Sequence, residues 1–240
     1  MPPTALITGA ASGIGLAAAE LLARAGWSIA LAGRTPARLE AAAARLSAAT
    51  LCIPADQADP SAVRHMVDRC AERFGRLDAL ILNAGQGELR PIERTDPALI
   101  STLFAANAIG PACAIHAAWP IMMRQQRGCI ILVSSYAALD PFPGFFAYAA
   151  TKGAMNTMAI SCAKEGAPHG IRAFSIAPGA VETDLLRTIF DKHTLPPEHC
   201  LAPADIAHVI SDCIEGNRDH DNGKTIYLRR SGAKIDEQVI

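Results

Sequence analysis

The chain has 240 residues, half of them hydrophobic, and a formal net charge of −1. That length and composition suffice for one large buried core, so a single domain over 1–240 is expected, and the balanced charge excludes the basic surface that nucleic acid or an anionic membrane requires. No run of about 18 apolar residues is expected to span a membrane, and the amino terminus enters a strand without a charged leader, which together point to the cytoplasm.

The first predicted strand, 4–8, runs into Gly9-Ala10-Ala11-Ser12-Gly13-Ile14-Gly15 and then into a helix over about 14–25, whose apolar positions Ile14, Ala17, Ala18, Leu21, Leu22 and Ala25 keep helical spacing. Glycines at such a turn take backbone angles that other residues resist. They also let main-chain N–H groups approach a phosphate at the positive end of the helix. The spacing is G-x-x-x-G-x-G rather than the common dinucleotide G-x-G-x-x-G. A second strand, 27–33, ends in Ala32-Gly33-Arg34-Thr35, about twenty residues on, where a protein that prefers NAD(H) places a carboxylate on the adenosine ribose. Here the Arg34 guanidinium can pair with a 2′-phosphate, and Arg38 lies one helical turn on, so NADP(H) is expected over NAD(H).

Thr35 and Pro36 open a helix predicted over 36–48, with Leu39, Ala42, Ala43 and Leu46 along one stripe. Strands at 50–55, 77–82, 129–134, 171–177 and 224–228 then alternate with helical segments at 60–74, 97–126, 145–166 and 203–215, interrupted only by a long connection over 178–202. This alternation predicts an α/β fold, a doubly wound, mostly parallel, seven-stranded sheet between helical layers. Ligands of such a sheet sit beyond the carboxyl ends of its strands. Gly9, Asp56, Asn83, Ser135 and Pro178 each follow a predicted strand and so converge on that edge.

Tyr148 and Lys152 are four residues apart on a predicted helix and share one face. A nearby cation favours a phenolate, and the expectation is therefore a tyrosine lowered from its ordinary value of about 10 and able to exchange a proton with a C–O group. Pro111 has no N–H for the carbonyl of Asn107, four residues earlier, which frees that carbonyl for another partner.

The seven cysteines are an odd number without a C-x-x-C pair and read as buried reduced thiols. His193, His199 and Cys200 fall in a proline-containing loop without the paired ligands of a zinc site, so no metal is expected.

Thr8-Gly9-x-x-x-Gly13-x-Gly15, Asn83-Ala84-Gly85, Asn107, Ser135, Tyr148-x-x-x-Lys152 and Pro178-Gly179-x-Val181-x-Thr183 occur in the order found in short-chain dehydrogenases/reductases, and the chain resembles that family over nearly its whole length. The resemblance implies an NADP(H)-dependent oxidoreductase that interconverts a carbonyl and an alcohol. Tyr148 would be the general acid/base, Ser135 would hold the substrate oxygen, Lys152 would tune the tyrosine and bind ribose, and Asn107 would hold a water. It further implies a cofactor site made of Gly9, Ser12, Gly13, Ile14, Gly15, Arg34, Arg38, Asp56, Asn83, Ala84, Gly85, Tyr148, Lys152, Pro178, Gly179, Val181 and Thr183. A homotetramer or homodimer is implied as well.

One departure stands out: Thr225-Ile226-Tyr227-Leu228 is followed by Arg229-Arg230-Ser231-Gly232 rather than Val-Asp-Gly-Gly. Leu139, Phe142, Phe145, Phe146, Leu185, Leu186, Ile189 and Phe190 predict an apolar wall, with 178–202 as the substrate loop. The expected substrate is therefore a moderately hydrophobic small molecule. A non-catalytic NADP(H) sensor on the same fold is the alternative, disfavoured because a sensor needs no proton donor.

Overall fold

A computed structural model describes residues 1–240. The strands β1 (Thr4–Thr8), β2 (Ser28–Gly33), β3 (Thr50–Pro54), β4 (Ala79–Leu82), β5 (Gly128–Val133), β6 (Ile171–Pro178), β7 (Thr225–Ser231) and β8 (Lys234–Val239) form one sheet in the order β3-β2-β1-β4-β5-β6-β7-β8. All pairings are parallel except that of β7 with β8. Strand order reverses between β1 and β4, and a crevice opens beyond their carboxyl ends.

Side chains alternate across the strands, so each strand feeds two cores. Ala5 and Ile7 of β1, Ile131 of β5 and Phe174 of β6 point to one face, where Leu22 of α1 (Gly13–Arg24), Leu39 of α2 (Pro36–Ala43) and Ile206 and Ile210 of α8 (Pro203–Glu215) cover them. Leu6, Ile130, Leu132 and Ala173 point the other way. They meet Val63 and Met66 of α3 (Pro60–Phe74), Ala114 and Ala118 of α5 (Gly110–Gln125) and Met155 and Ala159 of α6 (Phe146–Gly166). Helix ends follow local chemistry. The Asp59 carboxylate accepts the Ser61 N–H to start α3, with Pro60 in its first turn, and Gly75 ends it at φ 74°.

The structure differs from the sequence reading in several places. The sheet has an eighth strand: Gly232, at φ 60°, turns β7 back into β8, and Arg229, Arg230 and Ser231 extend β7 because they pair with Asp236, Ile235 and Lys234. The β8 residues are mostly exposed and half of them are charged, so no apolar alternation marked them. Helix α2 stops at Ala43 instead of 48, and tighter i→i−3 bonds to Arg45 and Leu46 bring the chain round while Leu46 still packs on the core. The long connection contains a short helix, α7 (Asp184–Ile189), begun by the Thr183 hydroxyl accepting the Leu186 N–H.

Helix 97–126 is two helices, α4 (Pro97–Phe104) and α5, joined by a wide turn over Ala105–Ile109 in which the Gly110 N–H bonds the Ala105 carbonyl five residues back. That stretch also corrects the expectation about membrane spans. Pro97–Gln125 is long and apolar enough to cross a membrane, with a mean hydropathy of 1.7, because Asn107, Gly110 and His116 interrupt the run without adding formal charge. Of its most apolar window 44 % is buried within the protein. Two of the cysteines, Cys52 and Cys113, are only partly buried, unlike the other five.

Phe174 is the largest fully buried side chain. Phe174→Ala is expected to cost about 3–5 kcal/mol through lost transfer energy and a residual cavity, read as a fall in the urea midpoint.

Candidate active site

The carboxyl ends of β1 through β7 border one cavity of about 920 Å³. Gly9 and Gly13 take positive φ, 64° and 55°, at the turn into α1. A Cβ on Gly9 would lie 2.9 Å from Asn83 Nδ2, and one on Gly13 would lie 3.0 Å from Thr183 Cγ2. Ser12 precedes α1 in extended conformation and its hydroxyl makes no cap bond, leaving it and the first-turn N–H groups facing the cavity. Gly15 does not line the cavity. It packs beneath the turn, where a Cβ would sit 2.4 Å from the Gly9 carbonyl oxygen.

The edge between β1 and β4 is laced by side chains. Thr8 Oγ1 accepts the N–H groups of Asn83 and Ala84 at 3.1 and 3.0 Å, and Asn83 Nδ2 donates to the carbonyls of Thr8 and Gly9 at 3.0 and 3.2 Å. Gln57, absent from the sequence reading, continues the lacing: its Nε2 donates to the carbonyls of Ala84 and Ala106 at 2.9 and 2.8 Å. Its only sequence signal is its place directly after Asp56. Asp56 is exposed on the cavity border and accepts the Ala58 N–H.

Asn107 is fully buried and does not line the cavity. Its side chain accepts the Gln86 N–H and donates to the Gln86 carbonyl, each at 2.8 Å, and donates to Thr151 Oγ1 at 3.1 Å. The neighbouring Gly85 is flanked by two polar groups, since a Cβ there would lie 3.3 Å from Asn107 Oδ1 and 3.4 Å from Lys152 Nζ. Gln86 and Thr151 were also missed, because backbone acceptance and a helix-face hydroxyl leave no pattern in the sequence.

Ser135, Tyr148 and Lys152 meet at the opposite end of the cavity. Ser134 is spoken for, its hydroxyl donating to the Lys152 carbonyl at 2.9 Å, while Ser135 Oγ accepts the Ala137 N–H and lies toward the Tyr148 phenol. Lys152 Nζ donates to the Val133 carbonyl at 2.8 Å and lies 5.8 Å from the Tyr148 ring centroid. Burial pulls the lysine down to about 8. Burial likewise pushes the Tyr148 phenol up, and the Ser135 hydroxyl opposes this only in part. The direction is opposite to the sequence expectation: desolvation dominates, and the Lys152 ammonium is turned to a backbone carbonyl.

The connection 178–202 lies over this end as a lid. Val181 pairs with Leu201 at its base, and the Arg187 guanidinium binds Glu182 and the Leu195 carbonyl within it. Phe145 stacks between Tyr148 at 5.1 Å and the lid residue Phe190 at 6.4 Å. Phe142, Leu185, Leu186 and Ile189 join the wall, whereas Leu139 and Phe146 remain outside it. Ile14, Ala84, Pro178, Gly179, Val181 and Thr183 all border the cavity. Arg34 does too and is exposed. Arg38, expected to add positive charge at the cofactor site, is held by Asp184 of α7 at 2.7 Å.

The sequence model for the family described as short chain dehydrogenase matches residues 3–194. An uncharacterised oxidoreductase of Bacillus subtilis strain 168 is 36 % identical over 186 residues, 76 % of this chain and 72 % of its own. Sulfoacetaldehyde reductase 2 of Chromohalobacter salexigens is 36 % identical over 196 residues, covering 78 % and 77 %. Among solved structures, 3-ketoacyl-(acyl-carrier-protein) reductase from Brucella melitensis complexed with NADH superposes with a TM-score of 0.89 at 28 % identity, over 95 % of this chain and 96 % of that one. Levodione reductase gives 0.88 at 26 % over 95 % and 96 %.

The lysine environment has a measurable consequence. The Lys152 side chain, observed by carbon-13 NMR and assigned by its loss in Lys152→Met, is expected to titrate near pH 8, ammonium below and neutral amine above. A midpoint near 10.4, the ordinary lysine value, would contradict the burial argument.

Proposed function

The chain belongs to the short-chain dehydrogenase family, and from that premise we propose that it is an NADP(H)-dependent oxidoreductase interconverting a ketone or aldehyde with an alcohol. One observation carries the reading: Ser135, Tyr148 and Lys152 border the same cavity as the glycine turn and Arg34. The turn fits a dinucleotide, because Gly9 and Gly13 take the positive φ that wraps the chain tightly against Asn83, Ala84 and Thr183 at the cavity border, and the N-terminus of α1 faces that cavity. Gly9, Ser12, Gly13 and Ile14 would hold the phosphates, Arg34 the 2′-phosphate, Asp56 and Ala84 the adenosine end, and Val181 and Thr183 the nicotinamide end. When bound, the nicotinamide supplies a hydride in reduction and takes one in oxidation.

The protein's own part is to position and to move a proton. Tyr148 gives its phenolic proton to the carbonyl oxygen in reduction and takes it back in oxidation. The upward push of burial keeps the phenol protonated at neutral pH and so suits the donor role. Ser135 donates to the same substrate oxygen and fixes it beside the phenol. Lys152 is mostly charged at neutral pH with a value of about 8, and its ammonium would bind ribose hydroxyls. Asn107 holds the Gln86 backbone and Thr151, and thereby the floor on which Lys152 lies. The apolar wall from Phe142 to Phe190 excludes water from the reacting carbon.

Tyr148→Phe is expected to lower turnover of a carbonyl panel by about a hundredfold or more while leaving NADPH affinity nearly unchanged, in the range for loss of a general acid. Turnover close to that of the unaltered protein would end this assignment.

The cofactor preference is tested separately. Gly33→Asp with Arg34→Ile is expected to shift kcat/KM toward NADH, because a carboxylate replaces the guanidinium beside the ribose. Equal or better kcat/KM with NADH than with NADPH in the unaltered protein would refute the preference.

A further inference from the structure

Four guanidiniums line the cleft, and their partners separate them. Arg38 is paired with Asp184 at 2.7 Å and Arg229 with Asp236 at 3.6 Å. Arg34 and Arg230 have no carboxylate within ion-pair distance. Arg34 is exposed beyond β2, at the dinucleotide end. Arg230 is half-buried near the carboxyl end of β7, and its side chain makes one hydrogen bond, from Nε to the Cys200 carbonyl of the lid at 3.3 Å.

The sheet order sets these two charges far apart. Strands lie about 4.8 Å from their neighbours, and β2 is five steps from β7, so roughly 24 Å separates the two strands. One 2′-phosphate at Arg34 cannot also serve Arg230. The strand that leads to Ser135 is β5, only two steps or about 10 Å from β7, within the combined reach of an arginine side chain and a short substrate. Arg229, on the rim, lies with its guanidinium carbon 5.8 Å from the centre of the Tyr136 ring, next in sequence to Ser135. Of the three carboxylates bordering the cavity, Asp56 is beyond β3, Asp184 is bound to Arg38, and Asp140, in the turn after β5, is exposed and makes no ion pair.

A half-buried guanidinium with one backbone acceptor retains unfilled donors in a fixed fork, the geometry that receives an oxyanion through charge-assisted hydrogen bonds. We propose that the substrate is a carbonyl compound bearing an oxyanion, a carboxylate, sulfonate or phosphate, a few bonds from its carbonyl carbon, and that Arg230 binds this group. The inference rests on the carbonyl oxidoreductase reading and narrows it. The apolar wall then holds the carbon chain between the anion and the reacting centre.

The test compares 4-oxopentanoate with its methyl ester, and with the matching sulfonate and phosphate, as substrates of the NADPH-loaded protein. The unaltered protein should favour at least one anion over the ester by tenfold or more in kcat/KM, chiefly through KM, and the preferred anion identifies the head group. In Arg230→Met the anion-to-ester ratio should fall at least tenfold, with partial recovery in Arg230→Lys. An ester used as well as every anion, or an unchanged ratio in the methionine variant, overturns the proposal. Absence of turnover with all four compounds counts against the oxidoreductase reading. Calorimetric binding of 4-oxopentanoate then decides the anion site alone: binding lost in Arg230→Met upholds it, and no binding by the unaltered protein overturns it.

Discussion

The crevice between β1 and β4 exists because Thr8 and Asn83 tie the two strand ends together where strand order reverses. Parallel strands that diverge at a switch point leave backbone groups at their ends without ladder partners, and buried groups of that kind are costly. Thr8 Oγ1 and Asn83 Nδ2 satisfy four of them across the gap. The Gly9 turn is thereby pressed against Asn83 and Ala84 so closely that a methyl group would clash. Everything on the dinucleotide side is referred to this contact, because the start of α1, the Ser12 hydroxyl and the position of Gly85 all follow from it. Gln57 extends the same logic to the wide turn before α5.

At the other end of the cleft the governing effect is desolvation. Lys152 is buried with a backbone carbonyl and a thioether as its only close partners, Val133 and Met155, and neither offsets the loss of water as a carboxylate would. The ammonium is weakened and the phenol of Tyr148 is strengthened as a bound proton. Both shifts favour the neutral forms and so oppose transfer of the phenol proton to the lysine, which keeps that proton on Tyr148. Rigidity comes from elsewhere: Asn107 clamps Gln86, Thr151 bonds both Asn107 and the Tyr148 carbonyl, and Phe145 wedges the tyrosine ring toward the lid.

Charge is distributed across the lid so that most guanidiniums are already engaged. Arg187 organises the interior of 178–202, and Arg38 reaches across the cleft to Asp184 at the start of α7. The exposed Arg38–Asp184 pair is worth little in stability, since both groups are well solvated. Its significance is geometric, because it links the helix after β2 to the lid over the site. A bound phosphate would compete with Asp184 for Arg38, and the free guanidinium on that side is Arg34.

Much of this was legible in the sequence. Seven strands and most helices announced themselves because a strand buried on both faces must be nearly all apolar, as Ala5-Leu6-Ile7 and Ile130-Ile131-Leu132 are, and a covering helix must repeat its apolar stripe. The glycine turn and the Tyr148–Lys152 pair were visible for a related reason, since backbone angles and proton chemistry restrict which residue types can stand there, while Asn83 and Ser135 were picked out by the motif order of the resembled family. Strand β8 was not visible, since an exposed charged edge obeys no such restriction. Nor were Gln57, Gln86 and Thr151, whose bonds run to backbone groups far away in sequence. Tertiary structure alone decided the sign of the Tyr148 shift, the capture of Arg38 by Asp184 and the isolation of Arg230. Each is a balance between desolvation and a partner brought from elsewhere in the chain, and a sequence records which charges exist but not which of them are neighbours.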